Sequence, residues 1–141
     1  MTRVVITGAG TINPLGHDVA QTLEAMREGR CGIGPLEIQD VERLAIRIGG
    51  QVKSFAPEAL FNRQQMALYD RFTQFTLIAA REAIAQSGLS FDGELAALSG
   101  VVLGNSGGGM TTLDDNYRSV YEEGKNRVHP FVVPKLMNNA A

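Results

Sequence analysis

The sequence predicts an α/β domain, on three observations. Two short apolar runs, Arg3 to Thr7 and Val101 to Leu103, each open into a cluster of glycines. Apolar residues between and beyond them recur at helical spacing. The order strand, glycine loop, helix is also the usual frame of an α/β binding site. The second cluster, Gly104-Asn105-Ser106-Gly107-Gly108-Gly109, holds four of the chain's sixteen glycines, and without Cβ atoms it lets another group approach the backbone.

Composition narrows the function classes. The 141 residues suffice for one domain with a core, spanning 1–141, and 44% hydrophobic content is ordinary for a globular chain. A net charge of −2 with no basic run gives no reason to expect nucleic acid. The opening run is too short for a signal peptide, and no stretch approaches a membrane span. The single cysteine, Cys31, excludes an internal disulfide and has no second thiol for a metal cluster, so a reducing cytoplasm is the expected home.

Along the chain, Arg3 to Thr7 is predicted as a buried strand turned by Gly8-Ala9-Gly10. Asp18 caps a helix, Gln21 completes a capping box, Val19, Leu23 and Met26 share its spacing, and Gly29 ends it. Residues 30–62 read as irregular, with Gly32-Ile33-Gly34-Pro35 as a turn and Ile46 to Val52 as a strand pair or edge. A long helix from about Gln64 to Ser87 follows, with Leu68, Phe72, Phe75, Ala79 and Ala83 on a core face and Gly88 as its stop. A loop around Asp92-Gly93 leads to the second strand and its glycine loop. Beyond them a helix runs from about Thr112 to Glu123, with Asp114 and Asp115 as its N-terminal carboxylates. Lys135 to Ala141 begins a further helix behind Pro134, and an end in good helix formers without a cap is expected of a cut chain.

Two glycine patterns invite a nucleotide. A dinucleotide fingerprint after the first strand would need a third glycine where Asn13 stands before Pro14. Gly104 and Gly109 have the spacing of a phosphate loop and Thr111 sits where a magnesium-binding hydroxyl would, but Met110 occupies the place of the phosphate-binding lysine. Neither pattern is complete. Cys31 with His17 or His129 could form a nucleophile and base, yet it follows a helix C-terminus, whose dipole disfavours a thiolate even beside Arg30. It reads instead as a small residue in a glycine turn. The two histidines lack metal-ligand spacing and are expected to order loops. Pattern alone therefore reaches a glycine-lined α/β site without catalytic machinery.

Four segments, taken in order, carry a resemblance. They are Val4-Val5-Ile6-Thr7-Gly8-Ala9-Gly10 with Asn13-Pro14-Leu15-Gly16; Gly29-Arg30-Cys31-Gly32-Ile33; Asp70, Phe72 and Gln74 leading to Ala85-Gln86-Ser87-Gly88-Leu89; and the glycine loop with Pro130-Phe131-Val132-Val133-Pro134. The chain resembles, over its whole length, the amino-terminal part of the β-ketoacyl-acyl-carrier-protein synthases, condensing enzymes of fatty acid synthesis. The resemblance implies a thiolase-like fold, layered α-β-α around a central mixed sheet. It also implies an acyltransferase that condenses acyl and malonyl thioesters on acyl carrier protein without a cofactor. The family's nucleophilic cysteine and two histidines would follow downstream, and Cys31 matches a position of small polar residues, so no catalytic residue is expected in this stretch. Gly107, with Gly108, matches the border of the acyl pocket, where many relatives carry a branched residue. Phe131, Val132, Val133 and Met137 match the segment that crosses a homodimer, or a heterodimer with a paralogue, to wall the partner's pocket. Carrier-protein docking would fall to Arg63, Lys125 and Arg127, because Gln64, Ala67 and Leu68 replace basic residues of the family pattern. A non-catalytic subunit of the chain-length-factor kind and a small nucleotide-binding domain are the competing expectations.

Overall fold

The computed structural model describes residues 3–141. These fall into two compact units, one running up to Phe55 and adding Ile78–Leu89, the other made of Ala56–Leu77 and Ser90–Ala141.

In the first unit, helix α1 spans Val19–Arg27 as its capping residues dictate. Asp18 Oδ1 accepts from Gln21 N at 2.7 Å, while Gln21 Oε1 accepts from His17 N at 3.1 Å, so the box closes one residue before the cap. Gly29, with φ +66°, turns the chain out of the helix. Strands β1 (Ile33–Pro35) and β2 (Ile48–Gly50) pair antiparallel, Gly34 opposite Gly49. The expected turn at Gly32-Ile33-Gly34-Pro35 is therefore mostly strand: glycine and proline are weak strand formers, but a short two-stranded edge with its own partner tolerates both. Arg3 to Thr7 is not part of any ladder among the described residues, and Val4 and Ile6 are 95% and 92% exposed, where a buried strand was expected. Apolar β-branched composition makes a strand only when another strand is present to pair with it.

Helix α3, Arg71–Ser87, lends its second half to this unit. A Cβ on Gly10 would overlap the carbonyl oxygen of Ala79, and one on Gly8 that of Ala83. The glycine pair lets the extended chain lie directly on the α3 backbone. Glu82 then binds two loops together: its Oε2 accepts from Thr11 N and its Oε1 from Val19 N, the first residue of α1, both at 2.8 Å. Asn13, where a nucleotide fingerprint would need glycine, instead makes a tight turn. Its Oδ1 accepts from Leu15 N at 2.8 Å and its Nδ2 donates to Thr22 Oγ1 at 2.9 Å.

The second unit contains α2 (Arg63–Leu68), the start of α3, α4 (Gly93–Leu98), α5 (Met110–Tyr121) and α6 (Val132–Leu136). The single long helix expected from Gln64 to Ser87 is two helices. Tyr69 is extended (φ −102°, ψ 123°), and Asp70 restarts the coil by accepting from Phe72 N and Gln74 N. The apolar spacing runs through this break without change, so the periodicity could not reveal it. Helix α4 was expected as a loop, and α6 starts three residues earlier than expected and stops at Leu136. Val101 and Val102 are 92% and 100% exposed and belong to no ladder among the described residues.

The interior of the second unit is polar as well as apolar. Phe61 is buried edge-on against Tyr69, ring centroids 5.9 Å apart. Asp70, Thr73, Gln74 and Thr112 are buried too. Asp70 Oδ2 accepts from both the backbone N (2.8 Å) and the hydroxyl (2.5 Å) of Thr112. The N-cap of α5 is Gly109, which has no side chain to offer, so Asp70 supplies the missing acceptor and a negative charge at the positive end of the helix. Asp114 and Asp115, expected in that role, lie beyond the first turn because α5 begins at Met110; Asp114 pairs with Arg118 at 3.0 Å instead. No helix among the described residues is long and apolar enough to cross a membrane.

Two outcomes are expected in denaturant unfolding of the full-length protein. Asp70→Ala, which strands three donors, should cost about 3–5 kcal/mol, and Asp70→Asn, which keeps one acceptor, roughly 1–2 kcal/mol; equal losses would show that the hydrogen bonds do not matter. Gly10→Ala should cost about 2–3 kcal/mol by forcing the chain off α3, whereas Gly124→Ala, with open space at its α-carbon, should cost only the strain of its φ of +68°, about 1 kcal/mol.

Candidate functional site

The glycine loop enters α5 in the second unit, and its glycines do three different things. Gly108 (φ +57°) and Gly109 are buried. A Cβ on Gly108 would strike the carbonyl of Leu136 and the side chain of Asn138, and one on Gly109 the carbonyl of Lys135. The group that approaches this backbone is therefore the protein's own α6, and Gly109 N donates to Leu136 O at 3.4 Å. A phosphate has no access to the α-carbons of that pair, and Met110 places no charge beside them. Gly104 has open space around its α-carbon.

Gly107 differs from all of these. A Cβ built on it meets only the flexible side chain of Met110, at 3.2 Å from Cγ. Its conformation is held from upstream, where Asn105 Oδ1 accepts from Gly107 N at 3.0 Å and from Gly108 N at 3.1 Å. Sequence reasoning passed over Asn105, although an Asn two residues before a glycine is a recognisable signal for such a turn. The role of Asp70 has no local signal in the sequence, and only the fold shows that its carboxylate seats the helix on which the loop ends.

The residues expected to line a pocket divide by direction. Met137 borders an open cleft of about 640 Å³ together with Leu103, Asn105 and Leu136. Val132 faces inward, onto an apolar cavity of about 230 Å³ bounded by Leu113, Tyr117 and Val120 of α5. Phe131, which precedes α6, and Val133 are exposed. His129 orders the entry to α6, as expected: its ring stacks on Phe131 and its Nδ1 accepts from Phe131 N at 3.2 Å. His17 Nε2 lies 2.8 Å from Lys53 O in the first unit. Cys31, also in the first unit, is exposed, and its sulfur contacts Ile33 N at 3.4 Å, while neighbouring Arg30 is paired with Glu28 at 2.7 Å.

The three basic residues are not equivalent. Arg63 is the first residue of α2, a cation at the positive end of a helix, where the dipole opposes it. Lys125 lies 2.6 Å from Glu123, whose carboxyl it holds below the ordinary value through hydrogen bonding and charge. An anion thus stands beside its charge. Arg127 is exposed.

Comparison with known proteins gives this geometry a family. The family described as "Beta-ketoacyl synthase, N-terminal domain" matches residues 1–141. Over 139 residues the chain is 36% identical to 3-oxoacyl-[acyl-carrier-protein] synthase 2 of Staphylococcus aureus and 39% identical to Nodulation protein E of a Rhizobium species, in each case covering 99% of this chain and 34% of the relative. The chain thus spans about a third of the length of the curated relatives it matches. A β-ketoacyl synthase from Burkholderia phymatum shares its fold with a TM-score of 0.77 at 23% identity, over 99% of this chain and 35% of the other. The ishigamide ketosynthase/chain length factor does so with a TM-score of 0.77 at 22% identity, over 94% and 33%. A match across every residue, together with the same fold, means that the chain belongs to the β-ketoacyl synthase family and matches its N-terminal domain.

Proposed function

We propose that the whole protein is a 3-oxoacyl-[acyl-carrier-protein] synthase and that this stretch shapes its acyl pocket, docks its carrier and contributes to its subunit contact. The observation that carries the reading is Gly107: beside Gly108 and Gly109, which α6 clamps, it has a backbone held by Asn105 and an α-carbon faced only by the flexible Met110 side chain. The condensation needs no cofactor. An acyl group passes from the carrier thiol to a cysteine sulfur supplied by the rest of the chain. Malonyl carrier loses carbon dioxide, and the carbanion attacks the acyl carbonyl and displaces the cysteine thiolate. What this stretch can supply is apolar surface and shape. The curated relatives named as synthases favour this reading over a non-catalytic partner subunit.

Phe131, Val133 and Met137 are exposed apolar residues, and they would wall the pocket of a second copy of the chain. Acyl carrier protein is the expected partner, and a solved relative with a TM-score of 0.75 is described as a type II polyketide ketosynthase in complex with its acyl-carrier protein. Arg63 supports the same reading, because folding alone gives no reason for a cation at that helix end. A cytoplasmic setting fits a free, exposed Cys31.

Two measurements test the reading. In the full-length enzyme, Gly107→Phe should shorten the longest acyl chain accepted, and an unchanged chain-length profile would remove Gly107 from the wall. Arg63→Glu with Arg127→Glu should raise the KM for carrier-bound substrate roughly tenfold, less at high salt, whereas Glu123→Gln, which unmasks Lys125, should lower it about twofold. A KM indifferent to all three would place docking elsewhere.

A further inference from the structure

We infer that Asn105 is the positioning residue for the chain-length wall, an inference that rests on the acyl-pocket reading of Gly107. One oxygen, Asn105 Oδ1, accepts from Gly107 N and from Gly108 N, at 3.0 and 3.1 Å. These are the amides on either side of the Gly107 α-carbon. Holding both fixes the two peptide planes that meet at that atom, and so the direction in which its open face points.

No other feature of the loop does this. Gly107 has no side chain to anchor it, and the clamp on α6 begins only at Gly108 and Gly109, through the carbonyls of Leu136 and Lys135. Upstream, Val101 and Val102 are exposed and belong to no ladder among the described residues. Gly107 is therefore the joint between a clamped segment and one with no ladder partner among the described residues, and the Asn105 side chain bonds both of its flanking amides.

The amide's other end sharpens the argument. Asn105 Nδ2 is sealed from solvent and has no acceptor among the described residues. The reverse orientation of the amide would set its NH₂ against two N–H donors, so the oxygen must face the loop. A sealed donor without an acceptor destabilises the folded chain. A serine hydroxyl makes such turns more weakly, whereas the one oxygen of Asn105 reaches both amides. Asn105 also borders the open cleft with Met137, next to the space an acyl chain would enter.

The experiment uses the whole synthase with Asn105→Ala, Asn105→Ser and, separately, Gly107→Phe, each assayed on acyl-carrier-protein thioesters from hexanoyl to stearoyl for kcat and KM. With Asn105→Ala, the kcat/KM ratio between the preferred chain and one several carbons longer should move toward unity by roughly fivefold, through KM for the longer chains. Asn105→Ser, whose hydroxyl reaches one amide, should restore part of the preference. If both variants keep the parent ratio while Gly107→Phe shifts it, or if they lower every chain equally, the inference is overturned. If Gly107→Phe also leaves the ratio unchanged, the pocket reading falls and the inference with it. Should Asn105→Ala fail to fold, Asn105→Ser decides alone, an unchanged ratio overturning the proposal.

Discussion

The attachment of α5 to Asp70 carries the second unit. Helix α5 begins at a glycine run that has no side chain to cap it, and its first amides would be left without acceptors. Asp70 supplies a buried carboxylate from the break between α2 and α3, accepting from the amide and hydroxyl of Thr112. The same residue starts α3 through Phe72 N and Gln74 N. One side chain thus sets the ends of two helices, and the loop between Gly104 and Gly109 is defined by where α5 begins. The first unit repeats the device with Glu82, whose carboxylate serves Thr11 N and the first amide of α1. In both cases charge-assisted bonds replace the apolar burial that is scarce here: Ala25 and Phe61 are the buried apolar residues among those described.

Glycine is used in this chain mainly for contact between backbones. Gly8 and Gly10 admit the carbonyls of Ala83 and Ala79, and Gly108 and Gly109 those of Leu136 and Lys135. Each pair mimics part of a nucleotide-binding pattern, because a phosphate and a helix carbonyl make the same demand, the absence of a Cβ. Gly107 escapes that use. Its α-carbon faces a thioether that can move, the kind of place where a side chain could be added and would alter shape more than stability.

Surface charge complements this apolar site sparingly. The second unit has few basic residues, and one of them, Lys125, is paired with Glu123. Arg63 stands against the dipole of α2, and Arg127 is exposed on the loop after α5. On the proposed function, a docking surface built on two arginines would steer an acidic carrier while contributing little affinity.

Much of the local structure was legible. Asp18, Gln21 and Gly29 marked both ends of α1, and Gly88 marked the end of α3, because caps act through atoms within a few residues. The four ordered segments that resemble the synthases were legible for the same reason, each being a short run whose residues are read together. The break at Tyr69-Asp70, the helix at Gly93–Leu98 and the early start of α5 were not, since apolar spacing continues through the first and the others depend on partners far along the chain. The sequence by itself determined the family, the helix caps and the positions where the backbone must be bare. Only the tertiary structure decided what covers those bare positions: α3 at Gly8 and Gly10, the α6 segment at Gly108 and Gly109, and the Met110 side chain at Gly107. A missing Cβ declares that something can come close, while the identity of what comes close depends on contacts between residues widely separated in sequence.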